Sequence, residues 1–233
     1  MSSQQDSKSS IESLGLGDHV CLIYQTKDEH RQFLQSFLID GIRRNEKIIY
    51  LNSSTSVDTV LNYLREAEED VDSLLEKAQL RIISAQSVYL RKDAFDPGKM
   101  MTFIKIRTEQ ALDEGFSGLR ITSDMGWVLK GKPGSLRLIE YEAKLSKHIK
   151  REKCLIMCQY NRCYFNSPLL LYAIATHPVV AVGTKISENP FYLAPPAFLG
   201  QDDSSKVLNF CLNRLTGSRI PDDEFGIKQM KAV

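Results

Sequence analysis

The sequence predicts an α/β fold built on a mostly parallel sheet with helices on both faces. Three observations carry this. Short apolar runs rich in Ile, Leu and Val recur along the chain. The segments between them are amphipathic and long enough for right-handed crossovers. Helix starts carry capping side chains or an early proline.

Taken in order, "HVCLIY" is the first strand, and Thr26-Lys27-Asp28-Glu29 has the spacing of a capping box. The helix behind it carries Phe33, Leu34, Phe37, Leu38 and Ile42 as one apolar stripe. "EKIIYLN" is the second strand, "VDTVLNYLREA" a helix with a shorter one over 71–77, and "QLRIISA" the third strand. Asp96-Pro97 opens a helix that Gly115 ends, and "SGLRITSDM" is the fourth strand. "SLRLIEYEAKLSKHIKRE" is a long helix and "KCLIMCQY" the fifth strand. Asn166-Ser167-Pro168 opens "LLLYAIAT", and "PVVAVG" is the sixth strand. "NPFYLAPPAFLG" has too many prolines for a central strand and belongs at the surface or the sheet edge.

The expected organisation is a disordered polar tail over 1–14, one domain over 15–200, and a C-terminal helix ("SSKVLNFCLNRLT") and tail over 201–233. Net charge is +1, so the basic excess of a nucleic-acid binder is missing. "KLSKHIKREK" reads as a solvated helix face. No apolar run approaches the roughly 20 residues of a membrane span, and the N-terminus has no signal-peptide core. Five scattered cysteines, Cys21, Cys154, Cys158, Cys163 and Cys211, argue for a reducing compartment, hence a cytoplasmic protein.

Between the first strand and first helix, where a phosphate-binding loop would stand, the chain reads "QTKDEHRQF" with no glycine. Asp28 and Glu29 suit a helix N-terminus but repel a triphosphate there. The frame of strand, helix and strand still resembles the opening of the RecA- and KaiC-like families. In that resemblance Asp124 stands where the fold carries its second acidic motif.

Along the first strand His19, Cys21 and Ile23 face one way. His19 and Cys21 are therefore candidates for one pocket. Arg120, in mid-strand, needs an acidic partner, for which Asp124 is the candidate. Trp127 is placed to wall an apolar ligand site, with Tyr89 and Tyr160 at the same mouth. A set of His19, Cys21, Cys158 and His177 would suit zinc's preference for N and S donors. None of the usual zinc spacings is present, however, so no metal is assigned. No G-x-S-x-G elbow is found, and catalysis is not expected.

The segments "GDHVCLIY", "YLRKDAFDP", "GLRITSDMGW", "CQYN" and "HPVVAVGTKISENPFYLAP" together resemble the MEDS domain, the methanogen/methylotroph sensory domain. The resemblance spans about 15–196 in the expected order. It implies a three-layer RecA-like core that has lost its P-loop. It also implies a non-catalytic sensor of a small hydrocarbon derivative or one-carbon compound, signalling to a regulatory protein partner. The family motif pairs a histidine with a cysteine, here His19 and Cys21, followed by Tyr24. Where the family carries a Glu before the fourth motif's methionine, this chain has Asp124, one methylene shorter. The ligand-binding set is thus His19, Cys21, Tyr24, Arg120, Asp124, Trp127 and Tyr160. No cofactor is assigned, direct DNA contact is not implied, and a homo-oligomer is an expectation. The alternative is a RecA/KaiC-like protein that binds a nucleotide without hydrolysing it.

Overall fold

A computed structural model describes residues 9–193. Seven strands form one sheet: β1 (His19–Tyr24), β2 (Lys47–Asn52), β3 (Leu80–Ser84), β4 (Leu119–Asp124), β5 (Cys154–Asn161), β6 (Val179–Val182) and β7 (Lys185–Glu188). Their order is β3-β2-β4-β5-β1-β6-β7. Every neighbouring pair is parallel except β6 and β7. The sequence reading did not include β7. A two-residue turn with Gly183 at φ 58° folds it back on β6 as an edge hairpin.

The helices are α1 (Lys27–Arg43), α2 (Val57–Arg65), α3 (Val71–Glu76), α4 (Ala85–Tyr89), α5 (Pro97–Asp113), α6 (Leu138–Ile149) and α7 (Ser167–Thr176). Strand alternation sorts the core into two layers. Val20, Leu22, Ile48, Leu155 and Met157 pack with α1, α2 and α3. Cys21, Ile49, Ile121, Ile156 and Cys158 pack with α4, α5, α6 and α7. The capping box at Thr26 is formed: its hydroxyl accepts from Glu29 N–H at 3.1 Å. Asp96 Oδ1 accepts from Gly98 N–H at 2.8 Å and begins α5. The stretch expected as one long helix instead starts with a 3-10 turn at Ser135–Arg137, so α6 proper begins at Leu138. A further 3-10 segment, Met125–Lys130, follows β4.

Within the segment expected as a tail, Ile11–Ser13 form a 3-10 turn and Leu14 is buried. The C-terminal helix expected over 201–233 lies outside the described residues, as do residues 194–200.

Arg120 is fully buried, and its partner is not Asp124. Residues four apart on a strand are about 13 Å apart, so Asp124 sits at the far end of β4. The guanidinium instead pairs with the Glu46 carboxylate and, at 2.8 Å, with Asp40 Oδ2. It also donates to the Phe37 carbonyl at 2.6 Å and lies 4.7 Å from the Phe37 ring centroid. Gly41 makes this approach possible, since a Cβ there would stand 2.8 Å from Arg120 Cδ and Nε. Arg120 therefore ties α1 to the sheet, beneath the α1 face and away from any cleft.

Arg120→Met leaves Glu46 buried without a counter-charge. Urea unfolding of this variant is expected to show a loss of about 3–5 kcal/mol. A loss below about 1 kcal/mol would show that the pair contributes little.

Candidate functional site

The α6–α7 face of the sheet holds a buried group of polar side chains. His19 opens β1 and Cys158 lies in mid-β5, both pointing to this face. Glu142 is on α6, where Leu138, Tyr141, Leu145 and Ile149 form the buried stripe, so a carboxyl occupies a core position. His177 follows the last residue of α7. Among the described residues these four are a set whose donor atoms all lie within 4.8 Å of one another, and all four are buried.

Second partners fix the orientation of each ring. Ser146, one turn after Glu142, donates its hydroxyl proton to the Thr176 carbonyl at 2.6 Å. Its oxygen is then free to accept from His19 Nδ1–H at 2.7 Å. His177 Nδ1–H donates to the Ala173 carbonyl at 2.6 Å. Both imidazoles thus present a bare Nε2 to the centre. His19 Nε2 is 3.2 Å from Glu142 Oε2 and 3.6 Å from Cys158 Sγ. His177 Nε2 is 3.6 Å from Glu142 Oε2 and has no hydrogen-bond partner. Tyr160 Oη donates to Glu142 Oε1 at 3.1 Å. The His19 and His177 rings lie against each other, tilted by 35°, with centroids 3.9 Å apart.

Burial sets the protonation of the group. Desolvation pushes both imidazoles down to about 3. It pushes the Glu142 carboxyl and the Cys158 thiol up, the thiol further because Glu142 is near. Burial therefore favours the neutral form of each of these four side chains.

Access to this group runs between α6 and α7. A narrow crevice of about 10 Å³ is walled by Leu138, Ile139, Leu169, Tyr172 and Ala173, with Glu142, Tyr160 and Thr176 on its floor. Outside it lies an apolar groove of about 510 Å³, lined in part by Val128, Pro133, Leu136, Ile139 and Leu169. A second cleft, of about 580 Å³, runs along α5 past Asp96, Lys99 and Arg107.

The structure divides the residues singled out from the sequence. His19 and Tyr160 belong to the buried group. Cys21 is buried on the same face, aligned with Cys158, but does not join the converging donors. Trp127 is wholly buried, stacked on Tyr89 at 4.5 Å and against Phe95 at 4.8 Å. It therefore stands inside an aromatic core and not at a mouth. Tyr24 and Asp124 lie elsewhere, at the carboxyl ends of the strands. There Asp124 Oδ1 accepts from Gly126 N–H at 2.9 Å and Oδ2 from Ser54 N–H at 2.7 Å. The Tyr24 ring packs against His30, tilted by 32°, with centroids 4.5 Å apart. His30 Nε2–H donates to Gln159 Oε1 at 2.7 Å, and Gln159 donates to Thr122 Oγ1 at 2.6 Å. At the start of α1, Glu29 Oε2 accepts from Gln25 N–H at 2.7 Å and Thr26 N–H at 3.2 Å. A side chain of the protein thus holds the amides of the first crossover.

Glu142 escaped the sequence reading, although its position within the apolar stripe of α6 was a readable signal. His177 stands just before β6 and so lies at the amino end of the sheet. His19, as the first residue of β1, is at that end too.

The sheet order, the helices on both faces and the crossover after β1 define a RecA-like α/β domain. The crystal structure of flagellar accessory protein FlaH from Methanocaldococcus jannaschii is similar, with a TM-score of 0.52 over 72% of each chain at 12% identity. At that identity the likeness is one of fold. No curated protein matches the chain. The family model of the MEDS domain, described as "MEthanogen/methylotroph, DcmR Sensory domain", matches residues 18–178, and the chain belongs to this family. No helix among the described residues is long and apolar enough to cross a membrane.

Burial also lowers the His30 pKa, against the pull of Gln159 and Asp124. A lowered histidine pKa means the unfolded chain binds the proton first. His30 then contributes stability that is full above the ordinary 6.5 and lost as pH falls through it. An NMR titration should place the His30 midpoint below 6.5. A midpoint at or above that value would contradict the burial of this ring.

Proposed function

We propose that this chain is a non-catalytic sensor domain that binds a small, largely apolar organic molecule, a hydrocarbon derivative or one-carbon compound. The reading continues that occupancy is relayed to a regulatory protein partner in the cytoplasm. One observation carries it: an apolar crevice that ends on a few convergent polar groups, Glu142, Tyr160 and Thr176. Membership of a sensory family supports it.

In this reading the crevice is where binding becomes a signal. Its free space is about that of one water, so an organic molecule enters only if α6 and α7 part. Ligand then binds the parted arrangement better than the closed one. That difference in affinity is what shifts the population a partner detects. Leu136, Leu171 and Tyr172 are exposed beside this seam, where a partner would feel such a movement.

The nucleotide-binding alternative has less support. Glu29 already satisfies the amides at the start of α1, and loop amides already occupy both oxygens of Asp124.

Isothermal titration with chlorinated and methylated one-carbon compounds, and separately with Mg-ATP, tests the reading. Binding of at least one organic compound is expected, weakened roughly tenfold or more in Leu169→Trp, about 1.4 kcal/mol or more. Leu169 is only partly buried, so this variant should keep its unfolding midpoint. Tight Mg-ATP binding, or organic binding unchanged by Leu169→Trp, would overturn it.

A further inference from the structure

We propose that His19, Glu142, Cys158 and His177 form a tetrahedral binding site for a divalent transition-metal cation, with zinc the best fit. The four donors come from β1, α6, β5 and the residue after α7, far apart in sequence. Zinc bonds of about 2.0–2.1 Å to N or O and 2.3 Å to S imply tetrahedron edges of about 3.3 Å between N or O donors and 3.6 Å to sulfur. Four of the six observed separations follow that pattern, and all six lie within 4.8 Å. His19 Nε2 to Glu142 Oε2 is 3.2 Å, His177 Nε2 to the same oxygen is 3.6 Å, and Cys158 Sγ is 3.6 Å from both His19 Nε2 and Glu142 Oε2.

A second line of argument is independent of these distances. His177 Nε2 is wholly buried, aimed at the centre, and has no hydrogen-bond partner. A buried lone pair left without a partner is costly unless a hydrogen-bond donor or a cation meets it. A cation is the species that suits two bare imidazole nitrogens at once. The outer contacts are those of a metal centre: Ser146 on His19 Nδ1, the Ala173 carbonyl on His177 Nδ1, and Tyr160 on the second oxygen of Glu142. The last contact leaves Oε2 as a single donor.

Charge balance selects the ion. A divalent cation with one thiolate, one carboxylate and two neutral imidazoles carries no net charge, which suits a buried site. Two nitrogens and a sulfur exclude magnesium and calcium, which take oxygen donors. Metal binding here would release the Cys158 and Glu142 protons and clasp α6 and α7 to the two central strands.

The site goes beyond the sensor reading and is tested without any organic ligand. The full chain is stripped with chelator and titrated with zinc and, separately, with cobalt(II). Elemental analysis after gel filtration should find one zinc per chain. The cobalt form should show the thiolate charge-transfer band and the intense visible bands of a tetrahedral site. Cys158→Ser should abolish the charge-transfer band, and His177→Gln should cut retained zinc at least tenfold. Wild-type protein that takes up no metal overturns the proposal, whatever the variants do. So does a cobalt spectrum unchanged by Cys158→Ser. Organic binding by metal-free protein would leave the sensor reading intact while this one fails.

Discussion

A carboxyl group in the core constrains the rest of the α6–α7 face. Glu142 stands where an amphipathic helix would place a leucine, and among the described residues no lysine or arginine pairs with it. Such a group must stay neutral or meet a cation of other origin. What surrounds it answers that need: two imidazoles turned by Ser146 and Ala173 to offer bare nitrogens, a thiol, and a phenol on the remaining oxygen. None of these contacts makes sense singly. Together they hold α6, α7, β1 and β5 in one arrangement.

The location of this group departs from the usual rule for parallel sheets, in which ligands meet the carboxyl ends of the strands. Here that end is filled from within. Glu29 caps the amides before α1, Asp124 joins the loops after β2 and β4, and His30, Gln159 and Thr122 form a closed chain of hydrogen bonds. The buried polar group instead sits over the amino-terminal half of β1 and is approached sideways, between two helices.

Most of the frame was legible because it rests on local signals. The capping box at Thr26, the proline after Asp96 and the stripe from Phe33 to Ile42 are complete within one helix each. β7 was not legible: its four residues, Lys185–Glu188, have one buried side chain and read as loop. The candidate site was legible in part. Strand alternation put His19 and Cys21 on one face, which the structure has. It did not reveal that Cys21 stands beside the donors and that Glu142 takes its place. A carboxyl within the α6 stripe was a local signal, but that outcome depends on how α6 lies across β5, which is a tertiary fact. Arg120 shows the same limit. A buried charge announces the need for a partner, but spacing along β4 excluded Asp124, and the partners came from α1 and the turn after it.

The most direct test of the account is anomalous diffraction from crystals of the zinc-loaded chain, recorded on both sides of the zinc absorption edge. The account predicts a peak enclosed by His19, Glu142, Cys158 and His177 beneath the α6–α7 seam. A peak confined to the surface, as at His148 and Glu152, with none inside this group, would contradict it.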